Sequence, residues 1–176
     1  MSPLRRISAV KPGARDFAEA AERHLDDVHA FLVYLTGDRN VAEELTSETF
    51  ARACERWGRY DPRRGSARTW LCQLARSTAL DHFRAEDRRR RREGRYALDV
   101  REPEDAVFGE GLSPALEGAL ARLSAAEREV LVLRVVLELD GESAARVLGI
   151  SATACSTRLS RALQKLEREV SAGVAA

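Results

Sequence analysis

The chain has 176 residues, 44% hydrophobic and 32% charged, with a formal net charge of +1, enough to bury a core in one domain or two small ones. Its 11 glycines and 5 prolines are too sparse and clustered for a sandwich or barrel of many short strands. No apolar run approaches the ~20 residues needed to cross a bilayer, and no secretory leader follows Met1, so a cytoplasmic protein without membrane insertion is expected.

Met1 to Arg15, with Pro3, Pro12 and Gly13, reads as a frayed basic leader. The spacing of Ala21, Leu25, Val28, Leu32 and Leu35 predicts a helix from Asp16 to Thr36 with one apolar stripe. Gly37 suits its C-terminal cap. Asn40 and Glu43 have capping-box spacing for a second helix. There Ala42, Leu45, Thr46, Thr49, Phe50, Ala53, Cys54 and Trp57 form the inner face, while Glu43, Glu44 and Glu48 lie outward.

Gly58, Asp61, Pro62 and Gly65 break that helix, and Ser66 can cap the next. In the third helix Leu71, Leu74, Ala75 and Thr78 face inward. Arg76, Ser77, Asp81, His82 and Arg84 are left on other faces. Trp57 and Trp70 flank the loop as core residues, and Tyr60 is available to stack on a base. The helix is expected to fade into the run Arg88 to Arg92, whose five like charges favour an anionic partner.

From Tyr96 to Leu112 the periodicity is lost and Asp99, Glu102, Glu104, Asp105 and Glu110 make the chain acidic, which reads as a linker. The predicted organisation is a first domain over 16–93, a linker over 94–112 and a second domain over 113–170. Ser113-Pro114 has the pattern of an N-cap followed by proline at the first helical position. Ser124 and Glu127 form a capping box. A short helix from Glu142 to Leu148, a turn at Gly149-Ile150-Ser151 and a last helix from Ala152 to Val170 follow. Cys155, Leu159, Ala162, Leu163, Leu166 and Val170 make the last helix's buried stripe.

Two helices joined by a short glycine-containing turn form a helix-turn-helix pattern. Near the start of its second helix stand Ser151, Thr153, Ser156, Thr157, Arg158 and Arg161, which can reach base edges and phosphates in a major groove. Cys54, Cys72 and Cys155 lack CxxC spacing and are expected to be buried free thiols. Glycine-rich phosphate loops, HExxH and nucleophile motifs are absent, and His24, His29 and His82 have no partner spacing. The chain is therefore expected to be no enzyme, to carry no cofactor or metal and to have no small-molecule substrate.

With an acidic helix, a loop and a basic helix ahead of a linker and a helix-turn-helix, the chain resembles the extracytoplasmic-function (ECF) sigma factors of bacterial transcription initiation. AEELTSETFARACERW resembles the family's helix that docks on core RNA polymerase. GSARTWLCQLARSTALDHFR resembles its promoter-melting and −10-reading region, and LARLSAAEREVLVLRVVLELDGESAARVLGISATACSTRLSRALQKL its −35-reading domain. The resemblance implies an all-α fold: an N-terminal helical bundle and a C-terminal four-helix domain with the helix-turn-helix, joined by a flexible linker.

It implies core-polymerase contacts by Glu43, Glu44, Glu48 and Thr49, with Leu45 and Phe50 packed inside. It assigns −10 DNA contacts to Tyr60, Asp61, Arg63, Arg64, Ser66, Arg68, Ser77, Asp81 and Arg84, the loop from Asp61 to Ser66 capturing a flipped base. The residues named above in the second helix of the helix-turn-helix would contact the −35 duplex. Core RNA polymerase, promoter DNA and an anti-sigma factor are the implied partners, the last able to hold the chain at the membrane.

Some positions depart from the family pattern. Ser47 stands where glutamine is usual, Ser77 for a frequent asparagine, and Gly141 and Ala144 for larger residues. Ala154 and Ser156 replace a common threonine and lysine on the recognition helix. Weaker or differently specific −35 binding follows from the lost cation. Two other readings stay open from the residues alone: a helix-turn-helix regulator that does not replace sigma, and a helical adaptor that has lost DNA binding.

Overall fold

The computed structural model describes residues 14–92, 107–109 and 111–174, and among these every regular element is helical. Residues 1–13 of the expected basic leader, and residues 94–106 and 110 of the linker expected over 94–112, lie outside the described residues. The elements are α1 (Ala14–Thr36), α2 (Arg39–Arg56), α3 (Ala67–Arg92), α4 (Pro114–Ala121), α5 (Ala125–Leu131), α6 (Gly141–Leu148) and α7 (Ala152–Val174). Two 3₁₀ turns, Trp57–Arg59 and Pro62–Arg64, connect α2 to α3, and a π turn, Val132–Val136, extends α5.

The first three helices form one bundle and α4 to α7 another, and α1 is shared between them. It packs on α2 and α3 along one side and on α5 and the π turn along another. Its C-terminal half is therefore buried all round: Phe31 and Leu32 are 0% exposed, and Val33, Tyr34 and Leu35 are buried as well. The single stripe expected for this helix holds at Val28, Leu32 and Leu35 but not at Leu25, which is 46% exposed. Leu25 lies ahead of the segment that the second bundle covers.

Gly37 caps α1 at a positive φ of 68°, and its N–H donates to the Val33 carbonyl at 2.8 Å. The next N-cap is Asp38 rather than Asn40. Its carboxylate accepts from the N–H groups of Asn40 and Val41, leaving Asn40 inside the first turn. Along α2 the buried seam is narrow: Ala42, Leu45, Thr46, Thr49 and Ala53. The Thr46 and Thr49 hydroxyls donate to the carbonyls four residues back, which satisfies both groups inside the core. Cys54, one residue beyond this seam, is exposed, against the expectation of a buried thiol. Cys72 and Cys155 are buried, and burial pushes the Cys72 thiol up to about 12.

α3 does not fade at the arginine run but stays helical to Arg92. Glu86 and Asp87, one turn ahead, pair with Arg89 at 3.7 Å and Arg91 at 2.9 Å, the i,i+3 and i,i+4 geometry that supports an isolated helical end. Residues 107–109, inside the expected linker, are packed rather than free. Val107 and Phe108 are buried, Phe108 lies 5.3 Å from the Tyr34 ring, and the N–H groups of Phe108 and Gly109 donate to the Glu117 carboxylate.

In the second bundle Ser113 and Ser124 cap α4 and α5 as their sequences predict, Ser124 in a reciprocal capping box with Glu127. α6 ends at Gly149, at a φ of 66°, with the Ile150 N–H returning to the Ala145 carbonyl at 3.1 Å. A Cβ there would meet no atom within 4 Å, so Gly149→Ala tests backbone conformation alone. Its expected cost is about 1–2 kcal/mol, read as a lowered thermal midpoint with unchanged helical content. In α7 Cys155 and Ala162 are buried and Leu159, Leu166 and Val170 half-buried, but Leu163 is 43% exposed, off the seam against α4, α5 and α6.

Candidate nucleic-acid interface

The chain between α2 and α3 is short, and its conformation is held by its own polar groups. Asp61 caps the Pro62–Arg64 turn by accepting the Arg63 N–H at 3.0 Å. The Arg63 guanidinium returns two bonds to the same carboxylate, each at 3.0 Å. Those bonds from Arg63 hold the Asp61 carboxyl below the usual range, so it remains an anion at neutral pH. The Tyr60 hydroxyl donates to the Gly65 carbonyl at 3.2 Å, closing the loop on itself. Ser66 caps α3 through its hydroxyl, which accepts from the Thr69 N–H.

Beside this loop is an aromatic cluster. Trp57 stacks on Tyr60 at 4.8 Å, and both meet Trp70 at 5.7 Å, while Phe17 of α1 backs Trp57 at 5.4 Å. All four are half-buried, so the tryptophans are neither core nor surface. The loop, the start of α3 and Arg146 of α6 surround an open cavity of about 450 Å³, lined also by Tyr60, Asp61, Arg64, Thr69 and Trp70. Flat aromatic walls, hydroxyls and a fixed carboxylate suit an unstacked base, and the guanidinium groups at the rim suit its phosphate.

Ser77, Asp81 and Arg84 lie four and three residues apart on α3, all exposed, and form a polar stripe leading away from the cavity. Asp81 is held from two sides, by Arg52 at 3.1 Å and Arg84 at 3.3 Å, and Arg52 also meets Glu48 at 2.5 Å. This Glu48–Arg52–Asp81–Arg84 chain links the outer face of α2 to the stripe on α3. Sequence spacing gave Arg52 no role, because its partner Asp81 is 29 residues away.

Glu43, Glu44 and Glu48 are exposed on one side of α2. Two of the expected contact residues are placed differently. Thr49 is 0% exposed and cannot itself touch a partner; it packs the helix beneath the acidic face. Arg68 pairs with Asp27 of α1 at 2.9 Å and is half-buried, so its charge joins α3 to α1. Arg63 and Arg64 remain exposed at the loop.

At the start of α7, Ser151 uses its hydroxyl to accept the Ala154 N–H at 3.1 Å. Thr153, Ala154, Ser156, Thr157 and Arg161 are exposed. Arg158 is half-buried. Burial pushes the Glu129 carboxyl up, while the charges of Arg76 and, less strongly, Arg158 oppose that shift. Ala144 is fully buried in the core, while a Cβ at Gly141 would meet nothing within 4 Å, so of these two small residues only Gly141 stands in open space.

Two family models match the chain in order: Sigma-70 region 2 over residues 20–89, and Sigma-70, region 4 over residues 113–166. The ECF RNA polymerase sigma factor SigC of Mycobacterium tuberculosis is 34% identical over 166 residues, covering 91% of this chain and 86% of that protein. The chain belongs to the ECF RNA polymerase sigma factors.

BldN of Streptomyces coelicolor, another ECF sigma factor, is 33% identical over 167 residues; the match takes in 92% of this chain but 63% of that longer protein. Among solved structures, the sigma factor RpoE in complex with the anti-sigma factor NepR from Bartonella quintana aligns with a TM-score of 0.78. It is 22% identical, over 89% of this chain and 98% of that one. CnrH, in complex with the cytosolic domain of CnrY, aligns with a TM-score of 0.64 at 23% identity, over 90% and 89% of the two chains. Both show the shared two-bundle helical fold. Region 2 thus spans the acidic face, the aromatic cavity and the polar stripe, and region 4 carries the helix-turn-helix.

Proposed function

We propose that this sigma factor binds core RNA polymerase through the acidic face of α2 and directs it to promoters through two DNA contacts, with an anti-sigma factor controlling its availability. The polymerase contact is made by Glu43, Glu44 and Glu48. The −10 element is opened at the cavity between Tyr60 and Trp70, where one base leaves the stack, and is read onward by Ser77, Asp81 and Arg84. The −35 duplex meets the N-terminal turns of α7. The units are residues 16–93 and 113–170, and the protein acts in the cytoplasm without chemistry of its own.

The observation that carries this reading is the aromatic cavity, set on the same helical pair as an exposed acidic face. A regulator using only a helix-turn-helix has no need of a cavity of that shape. Flipping a base costs a few kcal/mol of lost stacking, and contact with aromatic side chains returns about 1–3 kcal/mol per base. The open loop and its fixed Asp61 are suited to that exchange because little has to rearrange when the base arrives.

Arg158 and Arg161 are the cations nearest the start of the recognition helix, where Ser156 replaces a frequent lysine. Arg161→Ala is expected to weaken promoter binding by the assembled polymerase about tenfold or more, as loss of one good guanidinium contact costs roughly 1–3 kcal/mol. Core polymerase binding should stay unchanged. Electrophoretic mobility shift on promoter fragments, with and without the substitution, measures the first; co-purification with core polymerase measures the second.

A further inference from the structure

Arg52 of α2 is assigned no contact with polymerase or DNA, and its side chain is only 28% exposed. Its guanidinium is nevertheless bonded at both ends: Nη2 pairs with Glu48 at 2.5 Å, and Nη1 donates to Asp81 of α3 at 3.1 Å. That bond falls on Oδ2 of Asp81, while Arg84, one turn further along α3, donates to Oδ1 at 3.3 Å. Asp81 is thus held from two helices, yet its side chain remains 49% exposed.

We propose that Arg52 is a positioning residue for promoter reading: it fixes the Asp81 carboxylate as an acceptor that selects cytosine over thymine at one position of the −10 element. The inference rests on the proposed reading of that element by Ser77, Asp81 and Arg84. An ionised carboxylate only accepts hydrogen bonds, and its two oxygens offer about four lone-pair sites. Arg52 and Arg84 take one on each oxygen, so each oxygen can still accept from a base. Cytosine presents its N4 amine as a donor where thymine presents the O4 acceptor. A carboxylate opposite O4 sets acceptor against acceptor. Adenine also carries an amine, but its N7 acceptor stands beside it, so cytosine is the better match.

Asp81 needs such a hold because DNA phosphates repel its charge, and an unheld side chain turns to another rotamer. The chain Glu48–Arg52–Asp81–Arg84 carries two charges of each sign, which cancels that repulsion. Its two cations are not equivalent. The Arg84 side chain is 67% exposed and can exchange Asp81 for a phosphate. Arg52 is shielded and tethered at its other end by Glu48, so it is the anchor that persists when DNA arrives. As a tie between helices the same bond contributes little, because partly exposed ion pairs add little stability. α2 and α3 are already joined by buried residues such as Ala53 and Ala75.

Core polymerase carrying the full chain is used to select binders from promoter fragments with a randomised −10 element, and the enriched sequences are counted. The wild type is expected to favour cytosine over thymine about tenfold at one position, the discrimination that one good base contact gives. Arg52→Gln should reduce that ratio to about threefold or less, and Asp81→Ala should abolish it, with preferences at other positions kept. The double variant Arg52→Gln/Asp81→Ala should match Asp81→Ala, since Arg52 acts only through the carboxylate. Affinity for core polymerase should change by no more than about fivefold, and circular dichroism checks helical content. Arg52→Lys, which keeps the cation but not the fork, takes the place of Arg52→Gln if helix is lost, with the same reduction expected. An unchanged cytosine preference in the Arg52 variant overturns the inference. A uniform loss of binding at every sequence also overturns it, and leaves Arg52 a structural tie. A wild type that enriches no sequence removes the proposed function and this inference with it. A wild type that enriches promoter sequences with no cytosine preference dependent on Asp81 removes this inference alone.

Discussion

Phe31→Ala is expected to lower the stability of this sigma factor by about 3–5 kcal/mol, the cost of removing a large aromatic side chain from a filled core. Phe31 is fully buried in the part of α1 that contacts α2, α3, α5 and the π turn. Since domains of this size are stable by about 5–15 kcal/mol in all, the loss should appear as a large fall in the denaturant midpoint. Leu25→Ala, on the same helix but 46% exposed, is the matched comparison and should change stability by no more than about 0.5 kcal/mol. Equal effects at the two positions would contradict the placement of α1 between the bundles.

Glu48→Arg carries the largest expected functional effect. Glu48 is the one glutamate of the acidic face that is also held in place, by Arg52 at 2.5 Å, and through Arg52 it is linked to Asp81. Reversing its charge removes an anion from the proposed polymerase contact and puts a second cation beside Arg52. Apposition of like charges across an interface costs several kcal/mol, so affinity for core polymerase should fall about 30-fold or more. The effect on folding should be small, because an exposed i,i+4 pair contributes only about 0.3–0.5 kcal/mol. A labelled chain titrated with core polymerase measures the affinity, and thermal melting checks the fold. Normal affinity in the reversed variant would move the docking face away from α2.

Much of this fold can be read from local chemistry. Ser113-Pro114, Ser124 with Glu127, Gly37 and Gly149 each act over three to five residues, and each marks a helix end that the structure keeps. The acidic side of α2 and the polar start of α7 are legible in the same way, since helical periodicity separates their inner and outer residues. Contacts made between distant segments are not. α1 reads as a one-sided helix because nothing in its own spacing announces that α5 will cover a second side.

The same limit accounts for the residues whose burial or pairing differs from their sequence pattern. Thr49 is polar by type, but its hydroxyl finds the Leu45 carbonyl, so it can be buried at no cost in lost hydrogen bonds. Arg68 reads as an exposed cation, and its pairing with Asp27, 41 residues earlier, is not legible from spacing. Ala-Val-Phe at 106–108 lies in an acidic stretch without periodicity, yet two of its residues find an apolar niche by Tyr34. Arg76 and Glu129, 53 residues apart, could only be paired by the packing of one bundle on the other.

The central claim, that the chain confers promoter selection on RNA polymerase, is tested most directly by run-off transcription with purified core polymerase, the purified chain and a set of genomic fragments. Discrete transcripts from a subset of fragments, each requiring the chain, are expected. No transcript from any fragment, together with failure of the chain to co-purify with core polymerase, would contradict it.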